Sequence, residues 1–257
     1  MIYIIFLLFT FAVLAFVFYQ WQYHMIFSPM YYREDILDDN FEILSIRTDD
    51  GIELEGVVYQ PKNFSSTMLF FAGRAHDAVG TIKKLSHFYP NIRIITFNYR
   101  SYGKSEGKLT EQNIYADALH VAKLVEKNYG SFYIFGYSLG SSVASYVASR
   151  STCRALFLVG AFDSIVNLAK KKYKFLKYVD LSKIFRYKFN TKKYVQEIDE
   201  DTYLFVSKSD DLTYIQNARN LKQNIKNLVF YEELDDLSHK DILWDEKVVN
   251  KINRVMK

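Results

Sequence analysis

Cysteine is almost missing from this 257-residue chain: Cys153 is the only one. An intrachain disulfide and a cysteine metal cluster are both excluded. Proline is nearly as scarce, with 3 residues, and 10 glycines leave little room for a disordered linker. There is no internal repeat and no low-complexity tract. Neither G-x-x-x-x-G-K-[ST] nor G-x-G-x-x-G occurs, so nucleotide cofactors have no support. No His, Asp or Glu cluster has metal-ligand spacing on one element. No cofactor and no metal are expected. A net charge of +4 is mild and gives no reason to expect nucleic acid as a partner.

What is present divides into two materials. Residues 2–19, IYIIFLLFTFAVLAFVFY, carry no charge and one clearly polar residue, Thr10. About 20 such residues span the hydrocarbon core of a bilayer as a helix. Gln20, Trp21, Gln22, Tyr23 and His24 follow, and amphipathic aromatics of this kind settle at the membrane–water interface. A cleaved signal peptide would want basic residues first, a shorter apolar core and a small-x-small cleavage site, and none of these is found. Residues 1–24 are therefore expected to be a single-pass N-terminal anchor, and 25–257 one α/β domain. The membrane face is not legible: the first basic residue after the span is Arg33, offset by Glu34 and Asp35.

The soluble part alternates strand and helix patterns. Residues 41–48 alternate apolar and polar positions, Asp49-Asp50-Gly51 makes a turn, and 52–59 pairs back as a hairpin. Runs at 67–71, 92–97 and 155–159 read as buried strands, and 202–206 and 228–231 as two more. Helical spacing marks 77–88, 111–129, 214–224 and the terminal 241–256. A leading hairpin followed by alternating strands and helices implies a mostly parallel central sheet of about eight strands, covered by helices on both faces. Reacting groups in such sheets gather at the carboxyl ends of the strands.

The stretch that organises the rest is 132–148, FYIFGYSLGSSVASYVA. An apolar run ends in Gly136-Tyr137-Ser138-Leu139-Gly140, and a segment of small residues with helical promise follows. A strand entering a helix through G-x-S-x-G is a nucleophile elbow. Lifting the Ser138 hydroxyl clear of the sheet needs a sharp backbone turn. That turn brings the residues two before and two after into near contact, so both are glycine. The serine then sits at the amino end of a helix, where developing negative charge is favoured.

The elbow, the run Tyr99-Arg100-Ser101-Tyr102-Gly103-Lys104-Ser105 and Ala72-Gly73-Arg74-Ala75 together resemble serine hydrolases of the α/β-hydrolase fold. More narrowly, they resemble the membrane-anchored Bem46-like branch, over essentially the whole chain. Two departures stand out. Where the family usually has His-Gly-Asn-Ala-Gly after the third strand, this chain has Ala72-Gly73-Arg74-Ala75-His76. Where it usually has glycine three residues before the acid, this chain has Ser207. By the resemblance, Arg74 thus places a cation beside the oxyanion hole, where it bears on substrate preference.

A serine hydroxyl needs an adjacent base, and the base an orienting carboxylate. In this fold the order along the chain is serine, acid, histidine. The acid should follow the strand at 202–206, where Asp210 and Asp211 are both available; a paired Asp there also suits a helix cap. The resemblance favours Asp210. Among five histidines, only His239 lies after the strand at 228–231 and before the terminal helix. The resemblance implies an oxyanion hole from the main-chain N–H of Leu139 and of Arg74. Arg100 is expected to pack and cap its loop, with Tyr102 a candidate to line the pocket.

Between residues 163 and 200 lies an insertion where this fold usually carries a short helical lid. Its 170–193 portion holds ten basic residues, interleaved with aromatics, against one acid, Asp180. A solvated basic face is one reading. The other is a lid lying against anionic lipid headgroups, or steering acyl substrates with anionic heads. The expected function is a membrane-anchored serine hydrolase that cleaves ester or thioester bonds of a small-molecule or lipid-like acyl substrate. A peptidase or acyltransferase on the same fold, and a catalytically idle membrane scaffold, are the alternatives.

Overall fold

The structure is a computed structural model that describes residues 2–31, 39–181 and 183–257, with the Lys177 side chain left aside. Arg33, Glu34 and Asp35 lie outside the described residues. Helix α1 (Ile2–Ile26) is long and apolar enough to cross a membrane, with a mean hydropathy of 2.6 over its most apolar 18 residues. None of that window is buried against the rest of the protein.

Strands β1 (Phe41–Arg47) and β2 (Glu53–Tyr59) form the expected antiparallel hairpin. Next come β3 (Ser66–Phe71), α2 (Ala78–Phe88), β4 (Ile92–Phe97), α3 (Glu111–Tyr129), β5 (Tyr133–Tyr137), α4 (Leu139–Ala148) and β6 (Leu156–Val159). The 163–200 insertion follows, with α5 (Ile165–Lys172), a 3-10 turn (Lys174–Tyr178) and α6 (Thr191–Val195). Strand β7 (Thr202–Ser207), α7 (Ile215–Lys222), β8 (Leu228–Leu234) and α8 (Glu246–Val255) complete the chain. The eight strands form one sheet in the order β1-β2-β4-β3-β5-β6-β7-β8. Pairing is parallel from β4 through β8 and antiparallel only where β2 meets β1 and β4.

Strand alternation places successive residues on opposite faces, and two apolar clusters result. Leu69 and Phe71 pack with Ile114 and Ala118 of α3, Val143 of α4 and Leu221 of α7. Met68 and Phe70 pack with Val79 and Ile82 of α2 and Val248 and Ile252 of α8. Side-chain caps start the helices: Asp77 accepts from Gly80 N at 3.0 Å, Thr110 from Asn113 N at 3.1 Å, and Ser164 from Asn167 N at 3.2 Å. Such a cap contributes about 1 kcal/mol, enough to fix where each helix begins. The terminal helix differs from the sequence expectation. A 3-10 turn (Ile242–Trp244) comes first, and the Asp245 carboxylate, accepting from Lys247 N and Val248 N, restarts the chain as α8.

Arg100 has the structural role expected of it. It is buried and forks onto two carboxylates: Asp117 of α3 at 2.7 and 2.8 Å, and Asp50 of the hairpin turn at 2.7 and 2.8 Å. The hairpin is thereby fastened to the sheet's helical layer by the bidentate geometry that suits a planar guanidinium.

Candidate active site

At the end of β5 the backbone turns through Ser138 with φ 54 and ψ −119, a conformation an L-residue adopts only under constraint. The surroundings supply that constraint. Ser138 N donates to Val159 O at 2.9 Å, and Ser141 Oγ donates to Ser138 O at 2.6 Å. A Cβ on Gly136 would lie 2.5 Å from Gly140 O, and one on Gly140 would lie 2.0 Å from Phe71 O. Both glycines are therefore required, by the close approach anticipated from the sequence and by contact with the end of β3.

Three side chains distant in sequence meet at this bend. His239 Nε2 stands 2.8 Å from Ser138 Oγ, and His239 Nδ1 stands 2.7 Å from Asp210 Oδ2. Each of the three residues is less than a tenth exposed. Burial alone would raise the Asp210 carboxyl. The hydrogen bond and charge of His239, with two bonds from Thr213, outweigh it and hold Asp210 below the usual carboxylate range. An ionised carboxylate only accepts. Nδ1 must then carry the imidazole proton, and Nε2 keeps its lone pair for the Ser138 hydroxyl. Asp210 is itself fixed: Oδ1 accepts from Leu212 N and Thr213 N, both at 2.8 Å, and Oδ2 accepts from Thr213 Oγ1 at 2.6 Å. Asp211 is exposed and lines the cavity mouth instead.

Leu139 and Arg74 both line the same cavity. Neither main-chain N–H has an acceptor among the described residues. Gly73 lets the Arg74 loop close on the elbow, since a Cβ there would lie 3.1 Å from the Tyr137 ring and 3.2 Å from Ser138 Cβ. The Arg74 guanidinium, expected beside the hole, reaches back and donates to Met25 O at the end of α1. Tyr102 corrects the sequence expectation. It is fully buried and does not line the cavity. Its hydroxyl donates to Arg74 O at 2.6 Å and accepts from Ser28 N at 3.1 Å, so it holds the Arg74 loop from behind.

Several positioning contacts left no motif. Tyr137 stacks on the His239 ring at 5.3 Å, and its hydroxyl donates to His239 O at 2.7 Å. Burial, then the nearby Asp210 and Asp241 charges, push the Tyr137 hydroxyl well above its usual range, so it remains a donor. Ser207 donates to Leu237 O at 2.6 Å and ties the Asp210 loop to the His239 loop. Asp163 is wholly buried and accepts from Ser164 N and from the amides of Asn167, Asn217 and Asn220, at 2.6 to 3.1 Å. It fastens the start of α5 to α7. Side-chain amides on two helices, far apart in sequence, gave no pattern to read.

The cavity has a volume of 850 Å³. Leu139, Phe162, Ile165 and Leu168 give it apolar walls, and Met25, Ile26 and Met30 close one side. Lys83, Lys84, Lys172 and Lys240 stand around it against Asp211 and Asp241. Of these cations only Lys172 belongs to the 170–193 stretch that the sequence singled out. No group of His, Cys, Asp and Glu among the described residues is arranged to hold a metal ion.

No protein-family model matches the chain. An uncharacterized protein of a mimivirus of Acanthamoeba polyphaga is 24% identical over 210 residues, covering 74% of this chain and 71% of the relative. An uncharacterized membrane protein of Saccharomyces cerevisiae is 31% identical over 133 residues, 49% of this chain and 47% of the relative. A human α/β-hydrolase domain-containing protein (17B) is 29% identical over 161 residues, 57% of this chain and 54% of the relative. The matched stretch spans about half the length of the yeast and human proteins. Among solved structures, an esterase of Pyrococcus furiosus superposes with a TM-score of 0.66 at 17% identity, over 90% of this chain and 96% of that one. The sheet order, the strained serine at the end of β5 and these likenesses lead to one conclusion: this chain is a protein of the α/β-hydrolase fold.

Proposed function

We propose that this chain is a membrane-anchored serine hydrolase of the Bem46-like branch that cleaves acyl esters or thioesters. The observation that carries this reading is the unbroken hydrogen-bond path from Ser138 through His239 to Asp210. His239 Nε2 takes the Ser138 proton as Oγ attacks the acyl carbonyl, and later returns it to the leaving alcohol or thiol. Asp210 holds the Nδ1–H tautomer and stabilises the imidazolium while it exists. The main-chain N–H groups of Leu139 and Arg74 receive the developing oxyanion; one such donor is worth about a hundredfold or more in rate. Water then enters by the same base and releases the acyl-enzyme.

Esterases and other hydrolases on this fold support the coarse activity. The apolar cavity walls favour an acyl group over a polar peptide side. For the anchor, the yeast relative is described as a membrane protein and α1 leaves its apolar surface unburied. The lid supports contact with anionic headgroups: Tyr173 and Phe185 pack on Trp21 of α1 at 5.4 and 6.3 Å, which sets the basic segment beside the end of the span. Turnover of p-nitrophenyl butyrate by the full chain in vesicles, abolished in Ser138→Ala, is the test. Turnover that survives Ser138→Ala refutes the proposal.

A further inference from the structure

We infer that the cavity above Ser138 opens onto the leaflet in which α1 ends, and that its substrate is a bilayer-resident acyl amphiphile entering over Met25 and Met30 at the end of α1. This rests on the reading of Ser138 as nucleophile and of α1 as a membrane span.

The last turn of the span is a wall of the site. Met25, Ile26 and Met30 line the cavity opposite Ile165, Leu168 and Ala169 of the lid helix α5. About 20 residues of helix cross the hydrocarbon core at about 1.5 Å per residue. Of the 25 residues in α1, those after about Trp21 therefore stand at the membrane surface. Met25 and Ile26 come about one turn later, so the cavity begins within roughly 6 Å of the hydrocarbon edge.

The wall is fixed rather than draped. Arg74 donates to Met25 O, Gly103 N donates to Met30 O at 2.9 Å, and Ser28 N donates to the Tyr102 hydroxyl. Gln22 is buried, and its side-chain oxygen accepts from Arg186 N of the lid at 2.8 Å. The rings of Phe18 and Trp21 meet Phe185 at 6.0 and 6.3 Å. The same lid leaves Phe175 71% and Ile184 50% exposed, large apolar groups that water does not favour and an interface does. Span end, lid and cavity thus share one side of the molecule. An acyl chain entering over the apolar Met25, Ile26 and Met30 side chains exposes its methylenes to water over a shorter path than delivery through solvent does.

The test frees the catalytic body from the fixed placement that α1 imposes, without touching its packing. A short leucine extension followed by a glycine–serine linker of about 20 residues, with a reach of about 25 Å, is inserted between Val17 and Phe18. Native and linker chains in phosphatidylcholine vesicles are assayed on water-soluble p-nitrophenyl butyrate and on 4-methylumbelliferyl palmitate dissolved in the same vesicles. Butyrate turnover should agree within about twofold, while palmitate turnover falls at least tenfold in the linker chain. Equal palmitate turnover overturns the inference and leaves the hydrolase reading intact. A native chain that turns over neither ester overturns both. If the linker chain loses butyrate turnover as well, Phe175→Ser with Ile184→Ser decides. A fall of threefold or more on palmitate alone supports membrane entry, and no fall refutes it.

Discussion

Gly160, at the end of β6, lies directly beneath His239. Its φ is +58, and a Cβ added there would stand 3.1 Å from His239 Cε1. The missing methyl group leaves the imidazole room to sit beside Ser138. Gly160→Ala meets two costs: about 1–2 kcal/mol for an L-residue in the left-handed region, and displacement of a ring that must stay within hydrogen-bonding reach. Urea denaturation should show the first, and a fall in kcat of at least tenfold on p-nitrophenyl butyrate the second. Unchanged kcat would mean that the ring's position is not set from below.

Asp210 and Asp211 are neighbours with opposite surroundings. Asp210 is buried under four donors, and Asp211 faces solvent at the cavity mouth. Asp210→Asn should lower kcat by about 10³–10⁴ through the wrong imidazole tautomer, and Asp211→Asn should leave it within about threefold. The reverse order of effects would move the acid to Asp211.

Tyr102 acts on the site without entering it. Tyr102→Phe removes the hydroxyl that bridges Ser28 N and Arg74 O, at a cost of about 1 kcal/mol in stability. Freeing the Arg74 loop should also lower kcat several-fold with KM little changed, because only the developing oxyanion depends on that amide. A pure KM effect would show that the loop shapes the cavity instead.

His76 gives the fold an acid limit. Burial, reinforced by His239, Lys240 and Lys84, lowers its imidazole from 6.5 to about 4, and its Nδ1 is buried with no hydrogen-bond partner among the described residues. Above pH 6.5 the ring is neutral folded or unfolded and contributes nothing to pH dependence. As pH falls from 6.5 to 4, only the unfolded chain takes up the proton, and stability is lost, by up to about 3 kcal/mol. Asp210, whose carboxyl lies below 3.8 when folded, adds its own loss only below that value. Between pH 7 and pH 4.5 the unfolding free energy of the native chain should therefore fall by more than that of His76→Leu. Equal falls would show that His76 takes up its proton at the same pH in the folded and unfolded chain.

What was legible in the sequence was whatever short-range sterics or periodicity imposes. The glycines around Ser138 announce a bend that only they permit, and the β1–β2 turn at Asp49-Asp50-Gly51 is written in turn residues. His239 was reachable because its place after β8 left no other histidine in position. The supports of the site were not legible, since each is a contact between loops that only the finished fold brings together. Tyr137 to His239 O, Ser207 to Leu237 O and Tyr102 to Arg74 O carry no spacing rule. Tyr102 is the clearest case. Its aromatic ring suggested a lining role, but the hydroxyl sends it inward to a main-chain carbonyl.

The central claim is that Ser138 is an activated nucleophile, and covalent labelling tests it most directly. Native chain exposed to a fluorophosphonate should gain one adduct mapped by mass spectrometry to Ser138, with labelling slowed at least a hundredfold in His239→Gln. No adduct on the folded native chain, or an adduct that persists in Ser138→Ala, would contradict the account.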